Sequence, residues 1–220
     1  MISQMRAELH RLARRFRDGT SDAGTTMAEL VTAMALMTVF MTIFTTSVAL
    51  MYRSINKVTS LSDSATQLNQ AFVRLDREVR YAAAVSQPGI TTNGGWYVEL
   101  KTTNTGATVC TQFRVNPSAK QLQRRTWSVT SAGAATNITS WIPLASGVTN
   151  GNVLPGAANP PFVLTPPSAT FTYQTLGVRL LVSSGSGDAP TTSVSAVTYT
   201  ALNSTVATTS TDVCTEVARP

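Results

Sequence analysis

Ala23-Gly24-Thr25-Thr26-Met27-Ala28-Glu29-Leu30 opens a run that carries no further charged side chain until Arg53. Leu30 to Tyr52 is 23 residues. Wound as an α-helix at about 1.5 Å per residue, it reaches roughly 35 Å, more than the roughly 30 Å of a bilayer's hydrocarbon core. The stretch therefore reads as a membrane-spanning helix. Thr32, Thr38, Thr42, Thr45, Thr46 and Ser47 interrupt its apolar residues. A hydroxyl can bond a carbonyl of the preceding turn, so it costs far less in lipid than a charge and favours contact between helices. Glu29 is the anomaly: a carboxylate at the edge of an apolar run either sits at the interface near the positive end of the helix dipole or meets a partner.

Upstream, Arg6, Arg11, Arg14, Arg15 and Arg17 face Glu8, Asp18 and Asp22, so residues 1–24 contribute +2 to the formal charge of +6. Basic flanks are retained in the cytoplasm, which predicts the N-terminus inside and the remainder outside. Met5, Leu9, Leu12 and Phe16 recur at helical spacing and give an amphipathic basic helix suited to anionic headgroups. Nothing beyond charge supports a nucleic-acid-binding arm there. A secretory signal would end its apolar core in small residues, whereas here the small residues come first.

Gly24, four residues, Glu29 and then an apolar helix, behind a basic leader, resembles the prepilin signal of type IV pilins and pseudopilins. The resemblance implies cleavage after Gly24 by a prepilin peptidase, N-methylation of the new terminus Thr25, and a role for Glu29 in assembly, pairing with the N-terminal amine of a neighbouring subunit. Buried apart, that ammonium and carboxylate are each costly; paired, they neutralise one another and can fix axial register. Thr25 stands where the family usually has phenylalanine. Thr46 occupies the region where many major pilins carry a helix-kinking proline, and no proline precedes Pro88. A straight helix and a minor pilin or pseudopilin follow from that departure.

Val58, Leu61, Ala65, Leu68, Phe72, Leu75, Val79 and Ala82 continue the helical pattern as one apolar stripe. One helix from Thr25 to about Val85 is expected, ended by Gln87-Pro88-Gly89. Asp76 with Arg80, and Arg74 with Glu78, read as ion pairs on its solvated face. Leu75-Asp76-Arg77-Glu78-Val79-Arg80-Tyr81-Ala82 after so long a helix is most similar to J-type minor pseudopilins.

From Trp96 the composition turns to Thr, Ser, Val and aromatics. Strands are expected at Trp96 to Thr102, Thr108 to Val115, Gln121 to Val129, Trp141 to Leu144, Ala169 to Thr175, Val178 to Ser183 and Ser193 to Ala201. Val98/Leu100, Val109/Phe113/Val115 and Phe171/Tyr173 give this sheet an apolar face that would cover the helical stripe. The fold class is thus α+β: a long N-terminal helix, membrane-spanning in its first half, packed on an antiparallel β-sheet domain. The organisation is a leader (1–24), a transmembrane or assembly helix (25–52), its extracytoplasmic extension (53–87) and a β-rich domain (88–220). Residues 148–167, with five prolines, form a long connection or a subunit contact. Asn137-Ile138-Thr139 and Asn203-Ser204-Thr205 match the glycosylation triplet, a motif frequent by chance.

Cys110 and Cys214 both follow the membrane run, so in an oxidising compartment they would form one disulfide. Two separate thiols or a metal site are the alternatives, the latter lacking a nearby histidine to complete a shell. The single histidine, His10, lies in the leader. A mature domain without histidine has no Ser-His-Asp or Cys-His mechanism, and no phosphate-binding loop, dinucleotide fingerprint or metal-ligand spacing is present. No cofactor or metal is expected. The sequence points to a non-enzymatic subunit of a type IV pilus or type II secretion-like filament in a bacterial cytoplasmic membrane. Its partners would be other pilin or pseudopilin subunits, the prepilin peptidase and the membrane. Two alternatives are an uncleaved membrane-anchored binding domain and a DNA-uptake component, with Arg124, Arg125 and Trp127 against nucleic acid.

Overall fold

The computed structural model describes residues 26–91, 93–103, 106–154, 156, 158–184, 191–205, 208–210, 213–217 and 219. The chain divides into two compact units, Met1–Arg53 and Ser54–Pro220. Helix α1, Met27–Arg80, contributes residues to both. Its part in the first unit exposes every side chain except a half-buried Val48.

In the second unit, α1 packs on antiparallel sheet, as the sequence predicts. Strands β1 (Ala84–Val85), β2 (Gly89–Ile90), β3 (Trp96–Thr102), β4 (Thr108–Asn116), β5 (Gln121–Val129), β6 (Ala135–Thr136) and β7 (Ile142–Ser146) form one sheet. Its order is β1-β3-β4-β5-β6, with β2 also on β3 and β7 also on β5. Strands β8 (Phe162–Thr165), β9 (Gln174–Ser184) and β10 (Thr191–Ala201) form a second, ordered β10-β9-β8. Leu68, Ala71, Leu75 and Val79 of α1 share one core with Val98, Leu100, Phe113, Val115 and Leu122 of the first sheet and with Leu176, Val178 and Leu180 of the second.

The helix stops at Arg80, short of the expected Val85. The competing bonds are visible: Ala83 N–H donates to Lys101 O (2.7 Å) and Ser86 N–H to Glu99 O (2.8 Å). The otherwise open edge of β3 thus takes the backbone that would have continued the helix. Near the other end, Val58 is 62 % exposed, Ala65 is exposed and Leu61 half-buried. The sheet covers the stripe only from about Gln67, whose Oε1 accepts from Ser146 N–H (3.1 Å). Asp76–Arg80 and Arg74–Glu78 pair as expected (2.9 and 3.2 Å), but Glu78 also meets Arg124 of β5 at 2.8 Å. That carboxylate therefore ties helix to sheet as well as facing solvent.

Of the strand expected at Ala169 to Thr175 only Gln174 and Thr175 form, as the start of β9; residues 169–173 do not, and Phe171 and Tyr173 are exposed instead of lining the apolar face. Ser168 explains it. Its Oγ accepts from Thr170 and Phe171 N–H (3.3 and 3.1 Å), and its own N–H donates to Phe171 O (2.7 Å). A serine-anchored turn of this kind competes directly with a ladder.

Residues 148–167 are built more firmly than a plain connection. Val148 bridges to Val182 and Thr149 N–H donates to Leu181 O (2.8 Å), joining the end of β7 to β9. Gly147 permits the approach: at φ +78° a Cβ there would lie 2.7 Å from Ser183 O. Buried Asn150 donates to Arg179 O (2.7 Å) and accepts from Leu181 N–H (3.2 Å).

Candidate functional site

Two places carry the chemistry the sequence singles out. The first is the start of α1. Gly24 and Thr25 lie outside the described residues. Glu29 stands in the first turn of α1, its N–H donating to Thr26 O (2.9 Å). Its side chain is exposed and has no cationic partner among the described residues.

Beyond Glu29 the helix is uncharged up to Arg53, and each interrupting hydroxyl is satisfied within it. Thr32, Thr38 and Thr42 donate to the carbonyls of Glu29, Ala35 and Val39 three residues back. Thr45, Thr46 and Ser47 donate to Met41, Thr42 and Ile43 four residues back. All six contacts measure 2.7–2.9 Å. A helix that satisfies its own polar groups can enter hydrocarbon without stranding a donor. Among the described residues this is one helix long and apolar enough to cross a membrane.

The second place is the face of β3-β4-β5 turned away from α1. Strand alternation puts Val98, Phe113 and Leu122 into the core and Glu99, Gln112 and Arg125 on the opposite face. These three lie side by side across the strands. Gln112 Nε2 donates to Glu99 Oε1 (2.8 Å), and Arg125 Nε donates to Gln112 Oε1 (2.7 Å). In the next row, Arg114 Nε donates to Gln123 Oε1 (2.8 Å). Both guanidiniums lie against the Trp141 ring, 3.8 Å from its centroid for Arg114 and 4.6 Å for Arg125.

The C-terminal tail covers part of this face. Cys110 and Cys214 form a disulfide with a Cα–Cα distance of 6.2 Å. Buried Trp127 packs with Val213 and that disulfide, and its Nε1–H reaches Glu216 Oε2 at 3.4 Å. Arg219 donates from Nε and Nη2 to the two oxygens of Glu99, at 3.3 and 3.2 Å. Cys110, Cys214 and Glu216 bring potential ligand atoms within 4.8 Å of one another. The two sulfurs are bonded to each other, so the trio offers a cation one carboxylate and no thiolate.

Glu99 is fully buried. Burial raises its carboxyl above the ordinary value of 4.5, against the opposing pull of Arg219, Gln112 and Arg125. Burial lowers the Arg114 and Arg125 guanidiniums, with the Arg125 charge adding to the effect on Arg114. Because Glu99 titrates higher folded than unfolded, its ionisation costs stability as pH rises from below 4.5 through the raised folded value. Removing Arg219 widens that window. Arg219→Ala should therefore cost about 1 to 2 kcal/mol at about pH 8, the lower range reflecting a side chain partly open to solvent. It should cost less at about pH 4, where Glu99 is mostly neutral in both states. Denaturant titrations at the two pH values check this; an equal loss at both would remove Glu99 as the cause.

The residues proposed for nucleic acid are otherwise engaged. Arg124 and Arg125 point to opposite faces, as adjacent strand positions must: Arg124 pairs with Glu78, Arg125 joins the Gln112 ladder, and Trp127 is buried. The polar ladder itself escapes sequence inspection. Its members are polar residues at the outward positions of three strands, and only the register between strands brings them together. No family model, curated protein or solved structure matches the chain.

Proposed function

We propose that the chain is a pilin-like filament subunit, a minor pilin or pseudopilin of a type IV pilus or type II secretion-like machine. It enters the cytoplasmic membrane with its basic leader inside and its sheet domain outside. A prepilin peptidase cuts after Gly24 and methylates Thr25. Glu29 then pairs with the amine of a neighbouring subunit's Thr25, and residues 30–52 pack laterally among like helices. The role is structural, with no catalytic step.

One observation carries most of this: a carboxylate, Glu29, with no cationic partner among the described residues, at the head of an exposed helix that is uncharged to Arg53 and satisfies its own hydroxyls. An isolated charge beside hydrocarbon calls for a partner, and the cut N-terminus of a neighbour supplies the opposite sign at the matching depth. The α+β layout, with the sheet laid on the second half of a long helix, is consistent with the same role.

The test is the mass and N-terminal sequence of the protein recovered from its own membranes, with and without the peptidase. A chain beginning at N-methylated Thr25 only when the peptidase is present is the expected result. A chain beginning at Met1 in both cases would instead favour an uncleaved, membrane-anchored binding domain. Glu29→Val should leave the domain folded and abolish incorporation into filaments; normal incorporation, scored by co-purification with sheared filaments, would remove the pairing role.

A further inference from the structure

Among the described residues the two sheets present four margins, and three are guarded. Strands β1 and β2 are two residues each with Pro88 between them. On the far side, β6 is two residues and β7 contains Pro143. Strand β8 is four residues, held between Pro160-Pro161 and Pro166-Pro167. Short, proline-flanked margins give another strand little to pair with.

The fourth margin is different. Strand β10 runs 11 residues, pairs with β9 alone among the described residues, and contains neither a charged residue nor a proline. Apart from its ladder with β9, no backbone group of residues 191–200 bonds to another described residue. Thr192, Ser193, Val194, Ala196 and Thr198 are exposed. A long, uncharged edge whose N–H and C=O groups have no partner among the described residues is a template for another strand.

We propose that this edge pairs with β10 of a second copy of the chain, antiparallel, so that two three-stranded sheets join into one of six. The composition favours a self-pair. In a two-fold antiparallel pairing a charge near the middle of the strand would face its own copy, and like charges facing across strands destabilise. Thr191–Ala201 has none, while its Thr, Ser and Val residues make favourable neighbours for one another. Register with β9 also sets Val194 beside Leu181 and Ala196 beside Arg179 on the outward face. Joining two copies would extend that surface across the new seam. The pairing uses only residues of the second unit and stands whether or not the chain enters a filament.

The full chain in detergent, measured by light scattering after gel filtration, should be a dimer. Val194→Lys combined with Ala196→Lys should convert it to monomer while the thermal midpoint and the disulfide are retained. Ala196→Cys should give a covalent dimer under mild oxidation, because the native cysteines are already joined, and Thr165→Cys on β8 should not. Three results would overturn the proposal. They are a monomeric wild type, a dimer left intact by the two lysines, as association through the apolar helices alone would give, and an Ala196→Cys cross-link in native membranes that captures only a different protein.

Discussion

Reducing the Cys110–Cys214 bond, or replacing both cysteines by serine, is expected to lower the unfolding free energy by about 4 to 5 kcal/mol in the chain-entropy picture. The size follows from the separation of 104 residues between the two cysteines, since a longer closed loop removes more freedom from the unfolded chain. The local effect adds to the global one. Trp127 is buried against Val213 and the bridge, so release of the tail should also shift its fluorescence to the red. Urea titration of the full chain in detergent, with and without reductant, gives both quantities. A loss under about 1 kcal/mol with unchanged fluorescence would mean that the tail is held without the bridge, by Val213 packed on Trp127 and by the contacts of Glu216 and Arg219.

Phe113→Ala should cost about 3 to 5 kcal/mol. Its ring is fully buried in the core shared with Leu75 and Val79 of α1 and with Leu176 and Leu180 of the second sheet. Truncation leaves a cavity that three layers would have to close around, and tightly packed interiors relax only in part. Val73 offers the control, on the same helix but 72 % exposed. Val73→Ala should change stability by no more than about 0.5 kcal/mol. Comparable losses for the two would mean that α1 presents a different face to the sheet.

Local patterns made much of this fold legible. The uncharged run is visible as a span without charge, the stripe through Leu68, Leu75 and Val79 because burial repeats with the helical period, and the strands Trp96–Thr102 and Gln121–Val129 by their composition between turn residues. What escaped depends on residues far apart in sequence. The end of α1 is set by the edge of β3, some 20 residues on. Phe162–Thr165 forms a strand despite four flanking prolines, because β9 supplies the partner. Residues 169–173 have strand composition but lose the ladder to the hydroxyl of Ser168. At the candidate site, the spacing of Gly24 and Glu29 is local and could be read directly, whereas the Glu99-Gln112-Arg125 row exists only once three strands are in register.

The disulfide also changes what a protease can accomplish. Every peptide bond between Cys110 and Cys214 lies inside a covalent ring that includes β5 through β10. One cut anywhere in that span opens the ring but releases nothing. The piece bearing α1 stays joined through sulfur to the piece bearing the tail, and the nick shows only on a reducing gel. A chain held in a membrane through α1 would keep both pieces of its sheet domain after such damage, and shedding would require a second cut or a reductant.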